Sequence, residues 1–176
     1  EGLGDGQADA TISTCDKCDW FLHRDIKSQN FMFKDDELFI IDFGLATFFV
    51  DENGEHVTDI KNHDSILGTP LYSSYNIHCG HSHSRRDDLI SLGYTYLFML
   101  YGELPWSMKN IENNTISDLE ENHINHHYNI IRKEKKSYPI LENLLTEQKI
   151  KKYLEYCYNL DYKSSPQYSA LQKLFL

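Results

Sequence analysis

The spacing of apolar and polar positions in the first third of the chain predicts a β-hairpin. Two short β-prone runs, residues 30–33 and 38–41, flank the polar residues 34–37. The open end of an antiparallel hairpin brings the start of one strand beside the end of the other. We therefore expect Asn30 and Asp42 to lie near each other, where both could reach one metal ion.

A helical pattern begins at Ser84 and predicts a long core helix. Asp87 and Asp88 fall in its first turn, where carboxylates favour the positive end of the helix dipole. Gly102 and Pro105 fit a helix stop. The apolar stretch within this helix is too short to span a bilayer, so we interpret it as a buried helix.

The C-terminal part of the chain predicts amphipathic helices. Apolar residues recur at three- and four-residue spacing over residues 140–145, 150–158 and 168–175, and Ser165 and Pro166 would open the last helix. The acidic, His/Asn-rich residues 107–127 are predicted to be a surface insert.

Two other regions lack a sustained period. Residues 45–83 form a long polar stretch, and a loop of this length in a compact domain is usually functional. Residues 1–19 are rich in Gly and Asp, and we interpret them as a divergent, flexible N-terminal segment.

Composition narrows the class of protein. The chain has 176 residues, 40% apolar and 13% aromatic, which is typical of a folded chain with a real core. The formal net charge of −10 argues against general binding to nucleic acid or an anionic membrane. Four cysteines without a preceding secretory signal favour an intracellular location, in the cytoplasm or the nucleus.

One ordered set of polar residues carries recognisable chemistry. Residues 23–30 read HRDIKSQN and residues 41–44 read IDFG. Asp25 could accept a hydroxyl proton, and Lys27 could neutralise charge on a transferring phosphate. The alternative is a set of ordinary surface polar residues, but the order and spacing of the whole set argue against it.

Asn30 and Asp42 complete this set as candidate metal ligands. Mg²⁺ prefers carboxylate and amide oxygens to softer donors. Mg²⁺ is therefore the expected cofactor at this site, held by Asn30 and Asp42 beside the phosphate that Lys27 would contact.

These motifs resemble the C-terminal lobe of a eukaryotic-type protein kinase, and more narrowly the casein kinase I group. The further stretches that carry the narrower resemblance are GTPLYSSYN at 68–76, SRRDDLISLGY at 84–94, LPW at 104–106, YLEYC at 153–157 and residues 168–175. Vaccinia-related and tau-tubulin kinases are near relatives and remain open as alternatives.

The resemblance implies a fold, an activity and several residue roles. It implies a mainly α, α+β kinase-like fold, with a helical C-lobe and a small β-hairpin over residues 20–176. It implies transfer of the γ-phosphate of ATP to serine or threonine of protein substrates. Asp25 would be the catalytic base, Thr69 would bond to Asp25 and Lys27 while shaping the substrate groove, and Asp88 would hold the backbone at residues 23–24 unless it is only a helix cap.

Two departures from the family pattern concern the substrate. The family commonly has Arg at the position of Leu71, as part of an anion site for acidic or phosphorylated substrates. The basic run that the family has after its Leu-Pro-Trp segment is also poorly matched, since residues 122–131 offer His and Asn instead. A preference for phosphorylated substrates is therefore in doubt.

A third departure concerns the front of the domain. A kinase needs a glycine-rich lid, a strand lysine and a helix glutamate, and residues 1–19 offer only the weak glycine cluster 2–6. We therefore expect the chain to be a partial catalytic domain without the N-lobe. The competing hypothesis is a truncated or degenerate lobe that binds proteins without catalysis.

Two groups of soft ligands are weaker candidates. Cys15 and Cys18 form a single pair with no second pair at zinc spacing, so ordinary thiols are the better interpretation. His78, His81 and His83 could hold a soft metal, but adventitious binding is the most that their spacing suggests.

Overall fold

The computed structural model describes residues 20–60, 66–107 and 148–176. Its strands are β1 (Phe21–Leu22), β2 (Phe31–Lys34), β3 (Glu37–Ile40) and β4 (Thr47–Phe48), and its α-helices are α1 (Tyr75–His78), α2 (Arg85–Tyr101), α3 (Gln148–Tyr158) and α4 (Tyr168–Lys173). Short 3-10 helices cover Ser28–Asn30 and Phe43–Leu45. The described part of the chain is thus helical with two small antiparallel sheets, β1–β4 and β2–β3.

The predicted hairpin is confirmed as β2–β3, with bounds that differ by one residue. Its register pairs Phe31 with Ile40 and Lys34 with Glu37. The turn is therefore two residues long, and Asp35 and Asp36 both have positive φ. Short polar side chains tolerate this conformation, which a type I′ hairpin turn requires at both central positions.

The predicted long helix is confirmed as α2. Ser84 is its N-cap, and the backbone N–H of Ser84 donates to the Asp87 carboxylate at 2.9 Å. Gly102 ends the helix with φ 77°, a left-handed conformation that glycine adopts without steric cost. Both helix ends are therefore set by the residues that the sequence pattern indicated.

The core lies between α2 and α3. Ile90, Tyr94 and Trp106 are fully buried, and Leu154 packs against them. Gly93 permits the close approach of the helices, because a Cβ there would lie 2.6 Å from the Leu154 Cδ2 atom. This packing supports the N-terminal half of α2, which carries the residues that hold the candidate site.

The predicted C-terminal helices are confirmed where the structure describes them. The prediction for residues 150–158 is met by α3. The last helix begins at Tyr168, the first residue of the predicted run 168–175, with Ser165 and Pro166 ahead of its first turn, and the backbone N–H of its N-cap Gln167 donates to the Tyr156 hydroxyl at 2.8 Å. The predicted helix at 140–145 and the insert at 107–127 lie largely or wholly outside the described residues, as does the segment 1–19.

Within the described ranges, no helix has both the length and the apolar character needed to cross a bilayer. This agrees with the interpretation of α2 as a core helix, since Ile90, Tyr94 and Leu97 are all buried against protein.

Candidate active site

The candidate site is built on the loop between β1 and β2. Asp25 is buried, and its carboxylate is held from two sides. The Lys27 Nζ donates to Asp25 Oδ2 at 2.6 Å, and the Thr69 hydroxyl donates to Asp25 Oδ1 at 2.7 Å. Lys27 Nζ also donates to Thr69 Oγ1 at 3.2 Å, which closes a triangle of three side chains.

This triangle sets the charge of Asp25. Burial alone would raise the pKa of Asp25, but the hydrogen bonds from Lys27 and Thr69 outweigh it and hold the pKa below its ordinary value. The carboxylate is therefore ionised at neutral pH, which is the form able to orient and accept a proton.

Asn30 lies next to this triangle, at the end of the loop that joins β1 to β2. Its side chain is buried, and Nδ2 donates to the backbone carbonyl of Asp25 at 2.8 Å. Because the amide nitrogen is turned toward Asp25, the amide oxygen of Asn30 is the atom left to face a cation. The 3-10 turn Ser28–Asn30 fixes this orientation.

The hairpin brings Asp42 close to Asn30 along the backbone. The N–H of Ile41 donates to the carbonyl of Asn30 at 2.9 Å, which extends the β2–β3 ladder by one residue. Asp42 follows directly with φ 64°, and its Oδ1 accepts from the N–H of Gly44 at 3.3 Å. The open end of the hairpin therefore carries both predicted metal ligands, as its register requires.

The donor set at this end fits magnesium. It offers one amide oxygen from Asn30 and one carboxylate from Asp42, and hard cations prefer such oxygen ligands. No group of three or more His, Cys, Asp or Glu residues placed to hold a metal ion occurs in the ranges that the structure describes. The assignment of Asn30 and Asp42 as magnesium ligands stays a prediction.

His23 joins the loop that carries Asp25 to the turn that carries Asp42. Its Nδ1 accepts from the N–H of Asp25 at 3.3 Å, and its Nε2 lies 3.0 Å from the carbonyl of Ile41. A neutral ring with the proton on Nε2 satisfies both contacts. The ring also packs on Phe43, with 5.1 Å between ring centroids, so one side chain contacts both the loop and the turn.

Asp88 holds the backbone of the catalytic loop. Its carboxylate accepts from the N–H of His23 at 2.7 Å and from the N–H of Arg24 at 2.9 Å. The predicted contact is therefore present, and it is Asp87, not Asp88, that accepts from the N–H of the N-cap residue Ser84. Burial raises the pKa of Asp88 to about 6, against the two N–H groups, which lower it.

The segment that carries Thr69 is pressed against the catalytic loop at Gly68. Gly68 has φ 88°, and a Cβ there would lie 2.3 Å from the carbonyl oxygen of Arg24. Arg24 itself has φ 66°, and its Nε donates to the carbonyl of Leu45 at 2.5 Å. These two segments of the chain approach so closely that only glycine fits at position 68.

Leu71 lies where the family commonly has Arg. Its side chain is partly buried against the core cluster, and its carbonyl accepts a hydrogen bond from Trp106 Nε1 at 2.8 Å. The Trp106 ring packs against Tyr94 with 4.7 Å between centroids. The apolar residue at this position is therefore part of the core edge, and it places no positive charge beside Thr69.

The histidines considered as soft-metal ligands have other partners. His78 Nε2 lies 3.0 Å from the carbonyl of Pro70. His81 Nδ1 lies 2.7 Å from the Asp59 carboxylate. They form no metal cluster among the described residues, and Cys15 and Cys18 lie outside those residues.

Two polar clusters in the structure were not predicted from the sequence. Asp87 accepts from the Ser74 hydroxyl at 2.5 Å and so ties the N-termini of α1 and α2 together. The Ser84–Asp87 spacing, which is that of a capping box, could have pointed to Asp87 as a buried acceptor. The Asp59–His81 pair has no such signal, because 22 positions separate the two residues.

Comparisons with known proteins agree with this geometry. The protein kinase domain family model matches residues 10–174. Casein kinase I homolog 2 of Schizosaccharomyces pombe is 32% identical over 161 residues, covering 88% of this chain and 35% of the relative. The chain thus spans about a third of the length of that relative. With the triangle around Asp25 in place, these matches show that the chain belongs to the protein kinase family and is of casein kinase I type.

Proposed function

We propose that this chain is the catalytic C-lobe of a serine/threonine protein kinase of casein kinase I type. In this proposal it transfers the γ-phosphate of Mg·ATP to hydroxyl groups of protein substrates. The observation that carries the proposal is the triangle formed by Asp25, Lys27 and Thr69, with 2.6 Å and 2.7 Å contacts on the two carboxylate oxygens.

Asp25 would act on the substrate hydroxyl. Its Oδ2 atom accepts from Lys27 and, at 3.4 Å, from Asn30 Nδ2, and its Oδ1 atom accepts from Thr69, whereas an ionised carboxylate has about four acceptor sites. One site therefore remains for the incoming hydroxyl, which Asp25 would orient toward the γ-phosphorus. As the new oxygen–phosphorus bond forms and the bond to the ADP oxygen breaks, the hydroxyl proton passes to Asp25.

Lys27 would act on the transferring group. Its ammonium lies between Asp25 and Thr69, and the two contacts fix a positive charge within reach of the phosphate that approaches Asp25. A fixed cation stabilises the charge on the equatorial oxygens without reorganisation at the moment of reaction.

Asn30 and Asp42 would hold the magnesium ion. When bound, that ion neutralises charge on the β- and γ-phosphates. The contribution of the chain is positional: the hairpin ladder fixes Asn30 beside Ile41, and the left-handed residue Asp42 turns the chain away.

The proposal includes a partial domain. A complete kinase also needs a lid, a strand lysine and a helix glutamate. The motifs within residues 20–176 include none of these parts, so we propose that the isolated chain binds nucleotide weakly. The partners would be intracellular proteins that carry exposed serine or threonine.

The test is ATP turnover with casein as substrate. It is run with this chain and with the chain extended by any coding sequence that precedes Glu1 in the gene. Activity in the longer chain that Asp25→Asn abolishes supports the proposal. Asp35→Asn in the exposed hairpin turn is the matched control, because it makes the same chemical change away from the site. If the longer chain is as inactive as the shorter one, the chain is a binding module instead.

A further inference from the structure

Four hydrogen bonds join residues 59–60 to residues 81–82. The Asp59 carboxylate lies 2.7 Å from His81 Nδ1 through Oδ2 and accepts from the N–H of Ser82 at 3.0 Å through Oδ1. The Ser82 hydroxyl accepts from the N–H of Ile60 at 3.0 Å and donates to the carbonyl of Ile60 at 3.2 Å. We call these four residues the 59–82 clamp.

We propose that the 59–82 clamp positions the segment that carries Thr69 against the catalytic base, with Asp59 and His81 as positioning residues. The kinetic part of this inference rests on the proposed function, whereas its structural part does not. Neither residue contacts Asp25, so both would act through the backbone of the segment.

The path of the chain is the first argument. After Asp42 the segment is fixed to the rest of the fold by the β1–β4 pairing and by the backbone bond from Phe49 to Trp20. It returns to the catalytic loop at Gly68 and Thr69. Along the chain, the clamp lies between the attachment at Phe49 and the attachment at Gly68. Because Ile60 precedes Thr69 by only nine positions, fixing Ile60 limits where Thr69 can lie.

A cavity beside the clamp is the second observation that supports this role. A space of about 290 Å³ is lined by Arg24, Leu67, Val57, Ile60 and His81, among other residues. Close packing is what normally fixes a segment on a fold. Because the side chains of the described residues do not fill this space, the hydrogen bonds of the clamp carry more of that task.

The chemistry of Asp59 is the third argument. Burial would raise the pKa of Asp59, but hydrogen bonds from His81 and from the Ser82 N–H outweigh it and keep the pKa below its ordinary value. The carboxylate is therefore charged at neutral pH. Hydrogen bonds to a charged group are stronger than those between neutral groups.

The residues to which the clamp joins the segment, His81 and Ser82, are held in place by the start of α2. Ser82 precedes the N-cap of α2 by two residues, and Ser84 there is buried and bonded to Asp87. A contact between a loop and a helix start is effective only if the helix start is fixed. Here α2 is fixed by its packing against α3.

The first experiment is amide hydrogen exchange on the full 176-residue chain. Asp59→Ala is expected to speed exchange at Ile60 and Ser82, which donate within the clamp, and about tenfold at Tyr72 and Ser73, which donate to the carbonyl of Thr69. Amides in the middle of α2 should keep their wild-type rates. If Tyr72 and Ser73 keep theirs as well, the clamp does not position the segment and the inference is overturned.

Two further variants distinguish the loss of the clamp from general misfolding. Asp59→Asn keeps an oxygen acceptor for the Ser82 N–H and should give a smaller effect than Asp59→Ala. Asp51→Ala is the matched control, because it removes a carboxylate that caps the turn at Asn53 and Glu55 in the same segment. Asp51→Ala should leave the exchange of Tyr72 and Ser73 unchanged, and an equal effect from Asp51→Ala would overturn the inference.

The second experiment is kinetic and uses whichever chain length is active. Asp59→Ala and His81→Ala should each raise the KM for the protein substrate about five- to tenfold, with the KM for ATP unchanged. The double variant should be no worse than Asp59→Ala alone, because both single variants remove the Asp59–His81 contact and His81→Ala removes no other bond of the clamp. Additive effects would contradict the clamp. If the wild-type chain transfers no phosphate at either length, the proposed function fails, and the exchange experiment still decides the inference.

Discussion

Gly68 packs against the backbone of Arg24 so closely that a Cβ at Gly68 would lie 2.3 Å from the Arg24 carbonyl oxygen. This contact joins the segment that carries Thr69 to the loop that carries Asp25. Since Gly68 also has φ 88°, any other residue would meet both strain and a clash at this point.

The first prediction concerns this contact. We expect Gly68→Ala to lower the free energy of unfolding by about 2–4 kcal/mol, from left-handed strain and overpacking together, and to abolish phosphate transfer because Thr69 is displaced. Gly54→Ala is the matched control, since Gly54 has φ 78° and a Cβ there would meet nothing within 4 Å. Thermal unfolding of both variants measures the difference, and equal destabilisation would show that the clash is unimportant.

The second prediction concerns the hydroxyl of Thr69. Thr69→Val keeps the shape of the side chain but removes the donor to Asp25 and the acceptor for Lys27. We expect kcat to fall about a hundredfold, the lower end of the range seen when one positioned polar group is lost from a site. Thr69→Ser keeps the hydroxyl and should retain most of the activity, so similar losses in both variants would contradict a role for the hydrogen bonds.

The third prediction concerns substrate choice at Leu71. Introducing a cation by Leu71→Arg should raise selectivity for acidic over neutral peptides, because it restores the charge that the family commonly has beside Thr69. Leu71→Met is the control, since it preserves the apolar contact with the core edge. Ratios of kcat/KM for paired peptides measure the effect, and unchanged selectivity in Leu71→Arg would show that the anion site is not what this position governs.

The fourth prediction concerns the pH dependence of stability through Asp88. Burial raises the pKa of Asp88 in the fold to about 6, well above the ordinary value of an aspartate carboxyl group. A raised pKa means that the folded state binds the proton more tightly, so this group contributes stability fully below about pH 4 and loses that contribution as the pH rises through about 6. The wild type should therefore gain up to about 3 kcal/mol from this group between pH 7 and pH 4.

Asp88→Asn provides the comparison for that prediction. The amide does not titrate, and it offers one acceptor oxygen for the two N–H groups of His23 and Arg24. The stability gap between wild type and Asp88→Asn should widen as the pH falls from 7 to 4. Chemical denaturation at several pH values measures this gap, and a gap that stays constant would show that Asp88 does not titrate in this range.

Much of the local structure follows from the sequence alone. The polar turn between two β-prone runs predicted the hairpin, and Ser84 and Gly102 predicted the two ends of α2. These predictions succeeded because turn and cap chemistry act over a few neighbouring residues. The last helix begins at Tyr168, as its predicted apolar run does, but the bond from its N-cap Gln167 to the Tyr156 hydroxyl of another helix could not be predicted from the local sequence.

The amino-acid sequence alone is enough to identify the chemical groups of the candidate site. The order of Asp25, Lys27, Asn30 and Asp42 along the chain was enough to predict a phosphate-transfer site, because that chemistry needs particular residue types at a particular spacing. The resemblance to protein kinases then implied a partner for Asp25 in Thr69.

The positions of these groups depend on contacts that form only in the tertiary structure. The fit of Gly68 on Arg24, the span of Asp88 across two N–H groups and the clamp between Asp59 and His81 join residues that are 22 to 65 positions apart. Such contacts depend on the packing of α2 against α3 and on the path of the segment after Asp42. No local pattern encodes that path, since it is the burial of distant side chains in one core that brings these residues together.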